Sequence, residues 1–431
     1  MPADYSIIPK TMITHWQIVQ LIRLKSVLCL SVVYIILIQF VSPVKAQQFE
    51  LPGKRKKEVI NFIKVKNLIV IPVYINEKGP YNFLLDTGVG QMIITDTTFL
   101  KEIDLTNHKT YKIQGYGLGK EIEAILVRSI NARVGRASIK NIPTAIFKHD
   151  IFDLSSYLGI KIHGILGYFF FRSFTVKINY ASNKITCYLP DTNKKIKGTP
   201  VPMPVINAKP YVNVNMSLDS NTKTQVKLLV DNGSSHPLML ESINDGPFPI
   251  PPNSIPANLG VGINGEITGV MGRVHSLDID EFTFRDILAG FPDYSPKRTE
   301  LEGNTRNGSL GAEVLKHFLV TFDYKNEVLY LKKTRAFKQR FDHDMSGLEI
   351  FVVRSPRDRY YVSRIEPGSP AEKVGLKEND EIVSVDFKGI ENYNLSELTE
   401  MFRDRDGKQM ILEIRRGHES LIVLLKLKRR I

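Results

Sequence analysis

The chain has 431 residues, 43% hydrophobic and 24% charged, with a formal net charge of +13. These values suit a globular protein of two to three domains and exclude a disordered or fibrous one. The basic excess lacks the interleaved aromatics of nucleic-acid binding, so no nucleic-acid partner is expected.

At the N-terminus, Arg23 and Lys25 precede an apolar run of 16 residues at 26–41, followed by Val44-Lys45-Ala46. A basic flank, a short apolar run and a small-x-small site describe a secretory signal peptide over 1–46. Export to a periplasm or cell envelope is therefore expected. The alternative is membrane anchoring by an uncleaved signal, although the run is short of the roughly 20 residues a spanning helix wants. Cleavage removes four Lys/Arg and one Asp and lowers the net charge to +10. Lys54-Arg55-Lys56-Lys57 and the terminal Lys426, Lys428, Arg429 and Arg430 carry part of that charge. They weakly favour peripheral contact with an anionic membrane surface. Cys29 falls in the signal and Cys187 stands alone, which excludes an internal disulfide in the remaining chain. Cys187 sits in a strand-like alternation and is not expected to be a nucleophile.

Strand patterns follow at 68–75, 122–127, 174–180, 211–218 and 318–324, with few long amphipathic helices. Phe83-Leu84-Leu85 runs into Asp86-Thr87-Gly88, and an apolar run returns at Met92-Ile93-Ile94. Alone, Asp-Thr-Gly is also an ordinary turn. A second copy changes that reading. Leu228-Leu229-Val230 runs into Asp231-Asn232-Gly233-Ser234-Ser235, with Leu238-Met239-Leu240 beyond it, 145 residues later. Gly115-Tyr116-Gly117-Leu118 and Gly260-Val261-Gly262-Ile263 share that offset. Gly164-Ile165-Leu166-Gly167 matches Gly308-Ser309-Leu310-Gly311, and Phe174 and Tyr180 match Phe318 and Tyr324, all at 144. Four landmarks in register make two copies of one β-rich unit, at 60–190 and 200–333, joined by a Pro-rich linker at 190–204. A polar stretch at 332–346 leads to a third region at 345–431. That region has strands, a Gly-Ser-Pro turn at 368–370, and a helix over Leu395, Leu398, Met401 and Phe402 capped by Asn394 or Ser396.

Two matched lobes that each offer one aspartate at a loop tip can bring the carboxylates together. One proton is then shared, because both cannot ionise easily. Such a pair activates a water against a peptide carbonyl without metal, cofactor or covalent intermediate. The hairpins carrying Tyr116 and Gly117 and Gly262 and Ile263 fit mobile tips that close over a polypeptide substrate, or plain tight turns. His163 and His317 read as structural, and no metal-ligand spacing is present.

The two lobes resemble the pepsin/retropepsin class of aspartic peptidases, on Asp86-Thr87-Gly88, Asp231-Asn232-Gly233 and the Ile165-Leu166-Gly167 and Ser309-Leu310-Gly311 elements. The resemblance implies Asp86 and Asp231 as catalytic residues, both lobes in one chain, and support from Thr87, Gly88, Asn232, Gly233 and Ser234. It also implies two hydroxyls per lobe. Thr87 has the hydroxyl that bonds across the lobe interface and Asn232 does not; the Asn232 amide can still donate, with an altered geometry expected there. Ser234 has the one that orients the carboxylate and Val89 does not. The C-terminal region resembles a PDZ domain. Gly347-Leu348-Glu349-Ile350 stands where such domains bind a terminal carboxylate, and a C-terminal or extended peptide is the implied partner. The expected fold is mostly β: an aspartic-peptidase-like pair of β-barrel lobes, then a small α+β PDZ domain. The expected function is an exported aspartic endopeptidase. The alternative is a catalytically inactive, peptide-binding scaffold on the same fold.

Overall fold

The computed structural model describes residues 47–101, 109–113, 121–149, 153–190, 195–219, 222–296, 306–354 and 357–431. The signal-peptide reading and the first hairpin tip, with Tyr116 and Gly117, lie outside the described residues. Strands make up 54% and helices 11%, so sheets position everything that follows.

The first lobe is an eight-stranded sheet. Its spatial order is Ile63–Val65, Leu68–Ile75, Lys78–Leu85, Gly164–Leu166, Met92–Ile94, Ala137–Phe147, Ile122–Val134 and Thr110–Ile113. Leu68–Ile75 is buried on both faces, which its unbroken apolar sequence permits. The sheet curls until that strand also pairs with Ile122–Val134, through Tyr74↔Arg133 and Ile75↔Ala132. Ile122–Val134 is longer than its sequence pattern suggests. Exposed Arg128 and Ser129 interrupt the alternation at a register shift between Val127 and Ile130, and the strand continues beyond.

The second lobe repeats this order with Val205–Ile206, Lys209–Ser217, Thr224–Asp231, Gly308–Gly311, Leu238–Leu240, Phe282–Pro292, Gly265–Ile279 and Ser254–Gly262. It closes the same way, Lys209–Ser217 meeting Gly265–Ile279 at Asn215↔Asp278. In both lobes the strand leading to the aspartate pairs in parallel with a short glycine-bounded strand: Leu85↔Leu166 in one, Asp231↔Gly311 in the other. A Cβ on Gly167 would overlap the carbonyls of Asp86 and Val89. The close approach of that strand end to the aspartate loop requires glycine there.

A six-stranded sheet draws on both lobes, in the order Lys57–Asn61, Lys184–Tyr188, Thr175–Asn179, Phe318–Asp323, Val328–Lys333 and Thr199–Pro202. At its centre Lys177 pairs with Thr321, its own equivalent 144 residues later. A pseudo-two-fold axis therefore passes through this pair. Thr199–Pro202 corrects the sequence reading of 190–204 as linker throughout. Its prolines sit on an edge strand, where a missing N–H costs no ladder bond. One apolar cluster runs through both lobes and this sheet, with Phe170, Phe171 and Phe322 at the seam.

The C-terminal sheet has the order Leu348–Arg354, Asp358–Ile365, Glu381–Val385, Gln409–Arg416 and Glu419–Lys426, which leaves Leu348–Arg354 at an edge. Helix Leu395–Phe402 starts in a capping box between Asn394 and Glu397. Leu395, Leu398 and Phe402 pack with Leu348, Ile350 and Val352 in a separate core.

Candidate active site

Strand Lys78–Leu85 begins exposed and ends with Phe83, Leu84 and Leu85 buried, which fixes where Asp86 emerges. The Asp86 N–H donates to Leu166 O at 2.9 Å, anchoring the loop to the parallel strand. Each aspartate accepts from the N–H of its own glycine: Gly88 N to Asp86 Oδ1 at 2.6 Å, and Gly233 N to Asp231 Oδ1 at 2.9 Å. The glycines also face the opposite lobe. A Cβ on Gly88 would stand 3.3 Å from Asp231 Oδ1, and one on Gly233 would overlap the Asp86 carboxyl group. Gly233 is therefore glycine because the other lobe's carboxyl group occupies the space, whereas a side chain at Gly88 would be crowded by both carboxyl groups.

The loops are bonded to each other by a reciprocal set. Thr87 Oγ1 accepts from Asn232 N at 3.0 Å and donates to Val230 O at 2.6 Å. Asn232 Oδ1 accepts from Thr87 N at 2.7 Å, and Asn232 Nδ2 donates to Leu85 O at 2.9 Å. Val230 and Leu85 each immediately precede an aspartate, so the four bonds obey the pseudo-two-fold. Thr87 and Asn232 are fully buried. Asn232 thus keeps both cross-interface bonds through a different geometry. Its amide supplies one acceptor and one donor where Thr87 supplies both from a single oxygen.

Asp86 and Asp231 are half-buried and hydrogen-bonded to each other. Burial first, then the charge of Asp231, raises Asp86 well above the ordinary carboxylate range, against the pull of the Gly88 N–H. Burial also raises Asp231, opposed by Arg306, the Gly233 N–H and the bond from Asp86. The two carboxyl groups therefore titrate as a pair that shares one proton, with Asp86 raised by both burial and its neighbour's charge.

Val89 and Ser234 stand at equivalent positions and do equivalent backbone work. Val89 O accepts from Tyr168 N at 2.9 Å, and Ser234 O accepts from Ala312 N at 2.8 Å. The Val89 side chain packs in the first lobe's apolar cluster with Leu84 and Ile165. Among the described residues no bond joins the Ser234 hydroxyl to Asp231. Gly262 pairs with Gly265 at the second hairpin tip, and Ile263 packs against the first lobe's cluster, so this tip bridges the lobes. In the PDZ-like region, the Gly347 N–H is held by Asp344 Oδ1 at 2.8 Å and the Leu348 N–H by Ser346 Oγ at 3.0 Å. Glu349 accepts from Asn258 of the second lobe at 3.0 Å, and Ile350 packs in the C-terminal core.

Two residues near the pair escape sequence reasoning. Tyr324 is buried, its hydroxyl has no partner among the described residues, and burial together with Asp86 and Asp231 pushes its ionisation far up. Its place in the repeat, opposite Tyr180, was the available signal. Lys209 opens a strand after the left-handed turn Asn207-Ala208, and its charge pulls both carboxyl groups down. A lone lysine offers no sequence signal. His163 accepts from Asn82 N at 3.1 Å and serves the fold. Burial pushes the Cys187 thiol up, away from nucleophilic use.

Residues 71–170 match the family model for aspartyl proteases, a span that includes Asp86-Thr87-Gly88 and ends before Asp231. Residues 361–416 match the model for PDZ domains. Curated relatives include a probable CtpA-like serine protease of Staphylococcus aureus (strain MW2), 28% identical over 104 residues, which is 24% of this chain and 21% of the relative. The carboxy-terminal processing protease CtpA of Bacillus subtilis (strain 168) is 29% identical over 86 residues, 20% of this chain and 18% of the relative. The match thus spans about a fifth of these relatives' length. A solved structure, the HtrA3 PDZ domain bound to a phage-derived ligand (FGRWV), shares 25% identity over 19% of this chain and 80% of that one, with a TM-score of 0.17. The chain joins an aspartyl-protease-like region, matched over its first lobe, to a PDZ domain.

Proposed function

We propose that the protein is an aspartic endopeptidase in which Asp86 and Asp231 activate a water between them. The observation that carries this reading is the reciprocal bonding of Thr87 and Asn232, which holds two proton-sharing carboxyl groups face to face across a pseudo-two-fold axis. Ionised Asp231 takes a proton from the water as its oxygen attacks the peptide carbonyl carbon. Asp86 donates its proton to the carbonyl oxygen, giving a neutral tetrahedral diol. On collapse, Asp231 passes its proton to the nitrogen as the C–N bond breaks. A diol hydroxyl returns a proton to Asp86, and the pair is restored. The serine chemistry in the relatives' names is not carried over, since the matched span is a small part of them.

The test is hydrolysis of an unstructured peptide library, read by mass spectrometry, with wild type, Asp86→Asn and Asp231→Asn. Cleavage is expected in the first alone; cleavage that persists in both variants would sink the proposal. One observation favours a second reading, a peptide-binding scaffold without turnover: neither Val89 nor Ser234 places a hydroxyl on a carboxyl group. Pepstatin-sensitive hydrolysis that depends on Asp86 would rule this out. Export is proposed from the N-terminal pattern alone. It predicts a mature N-terminus at Gln47 in an envelope fraction.

A further inference from the structure

The PDZ groove lies between edge strand Leu348–Arg354 and helix Leu395–Phe402, and part of the chain already sits in it. Helix Leu154–Leu158 of the first lobe packs along the edge strand. Its left-handed C-cap, Gly159, lies between the two groove walls. A Cβ there would stand 3.0 Å from Leu395 Cβ and 3.4 Å from Val352 Cγ2. The Arg354 guanidinium donates to the Gly159 carbonyl. A cavity bordered by Leu158, Gly159 and Ile160 on one side and Leu395 and Met401 on the other continues the seam. At the carboxylate-loop end, Leu348, Glu349 and Ile350 face a cavity of about 420 Å³ whose other wall includes Lys66 and Tyr157. The Lys66 ammonium stands 3.7 Å from the centre of the Tyr157 ring.

We propose that residues 154–160 latch the PDZ groove in cis, and that a peptide ending in an apolar residue with a free carboxylate competes with this segment for the groove. A peptide added to the edge strand sends alternate side chains between Val352 and Leu395, the space where Gly159 sits. Both occupants cannot be accommodated together. The residues along this seam, Leu348, Ile350, Val352, Leu395 and Met401, are apolar and match an apolar terminal residue.

Two connections run from this groove into the lobes, the first of them to the Asp86 loop. Ser155 Oγ accepts from Ile162 N at 3.0 Å, His163 N donates to Asn82 O, and Leu166 O accepts from the Asp86 N–H. Gly159 is thus seven residues upstream of Leu166, whose carbonyl anchors Asp86. The second connection is Glu349 to Asn258, on the hairpin strand Ser254–Gly262 whose tip packs on the first lobe. Displacing the latch disturbs the first, through Ser155. By linkage, the factor by which the latch weakens peptide binding is the factor by which peptide weakens the latch. The effect on turnover rests on the aspartic peptidase reading; the competition for the groove does not.

The experiment uses the full chain and a fluorescein-labelled pentapeptide ending in Leu-Val with a free carboxylate. In Gly159→Asn the new side chain tolerates the left-handed backbone but collides with Leu395 and Val352, prying the latch open. Binding to Gly159→Asn is expected to be tighter than to wild type by at least about tenfold. In wild type, saturating peptide is expected to raise amide hydrogen exchange across 154–163, and its C-terminal amide analogue is not. Equal affinities, together with unchanged wild-type exchange at 154–163, would overturn the latch. If Gly159→Asn does not fold, the wild-type exchange measurement decides by itself. Competition observed without hydrolysis in either state counts against the aspartate mechanism and leaves the latch standing.

Discussion

In the first lobe a threonine follows the aspartate; in the second an asparagine does. Thr87 answers two backbone groups of the opposite loop with one oxygen, accepting from one and donating to the other. Asn232 answers the equivalent two with separate atoms, Oδ1 and Nδ2. The geometry asks for an acceptor and a donor aimed across the interface, and a hydroxyl is only one way to supply them. Two residues on, Val89 and Ser234 show the reverse. Their carbonyls do the same work while their side chains do different things. Equivalence between the lobes is kept in the bonds, across the interface and within each lobe alike, and relaxed in the side chains at Val89 and Ser234 that take no part in them.

The largest test of this comparison is chemical. Asp86→Asn and Asp231→Asn should each lower hydrolysis by roughly 10²–10⁴-fold, because the two aspartates share one acid–base cycle. A lobe that tolerates the change is not half of the site. Next comes the interface. Asn232→Ala strands the Thr87 N–H and Leu85 O in a buried place and should cost about 2–5 kcal/mol in urea unfolding. Asn232→Thr restores an acceptor and a donor and should recover all but about 1 kcal/mol of that. If the threonine variant is as unstable as the alanine one, the two loops are not interchangeable.

A third expectation concerns pH. Asp86 is raised in the folded state, so above the ordinary carboxylate range the folded chain keeps a proton that the unfolded chain releases. Its contribution to stability is present at acid pH and lost as pH rises through the raised value. The difference in unfolding free energy between wild type and Asp86→Asn should therefore shift against wild type as pH rises. Hydrolysis should fall over the same rise, since the pair loses its shared proton. A difference that moves the other way breaks the reading of Asp86 as a raised carboxyl group. The smallest effects are expected at the relaxed positions. Ser234→Ala should change stability by under about 0.5 kcal/mol, as its carbonyl bond survives.

The paired aspartates were legible because apolar runs fix strand ends, and two such runs recur at one spacing. The mostly β architecture followed from the same runs. What stayed hidden depends on partners far along the chain. The partners of Asn232 could not be read from the sequence because its bonds go to residues 145 and 147 positions away. The strand Thr199–Pro202 was concealed by its prolines, which signal a linker until an edge position removes the objection. Ile122–Val134 was cut short at a bulge that breaks the alternation. Tyr324 and Lys209 carry no local pattern that points to the carboxyl pair. Gly159 is unremarkable in sequence, and only the packing of one region on another gives it a role.

The pairing of Lys177 with Thr321 has a consequence for how the molecule comes apart. These central strands, Thr175–Asn179 and Phe318–Asp323, join the two lobes by a ladder of hydrogen bonds in the middle of a sheet. Severing the chain between the lobes should leave the halves associated and melting as one body. Expressed separately, each half would present a bare interior strand as an edge, a surface prone to pair with any copy of itself.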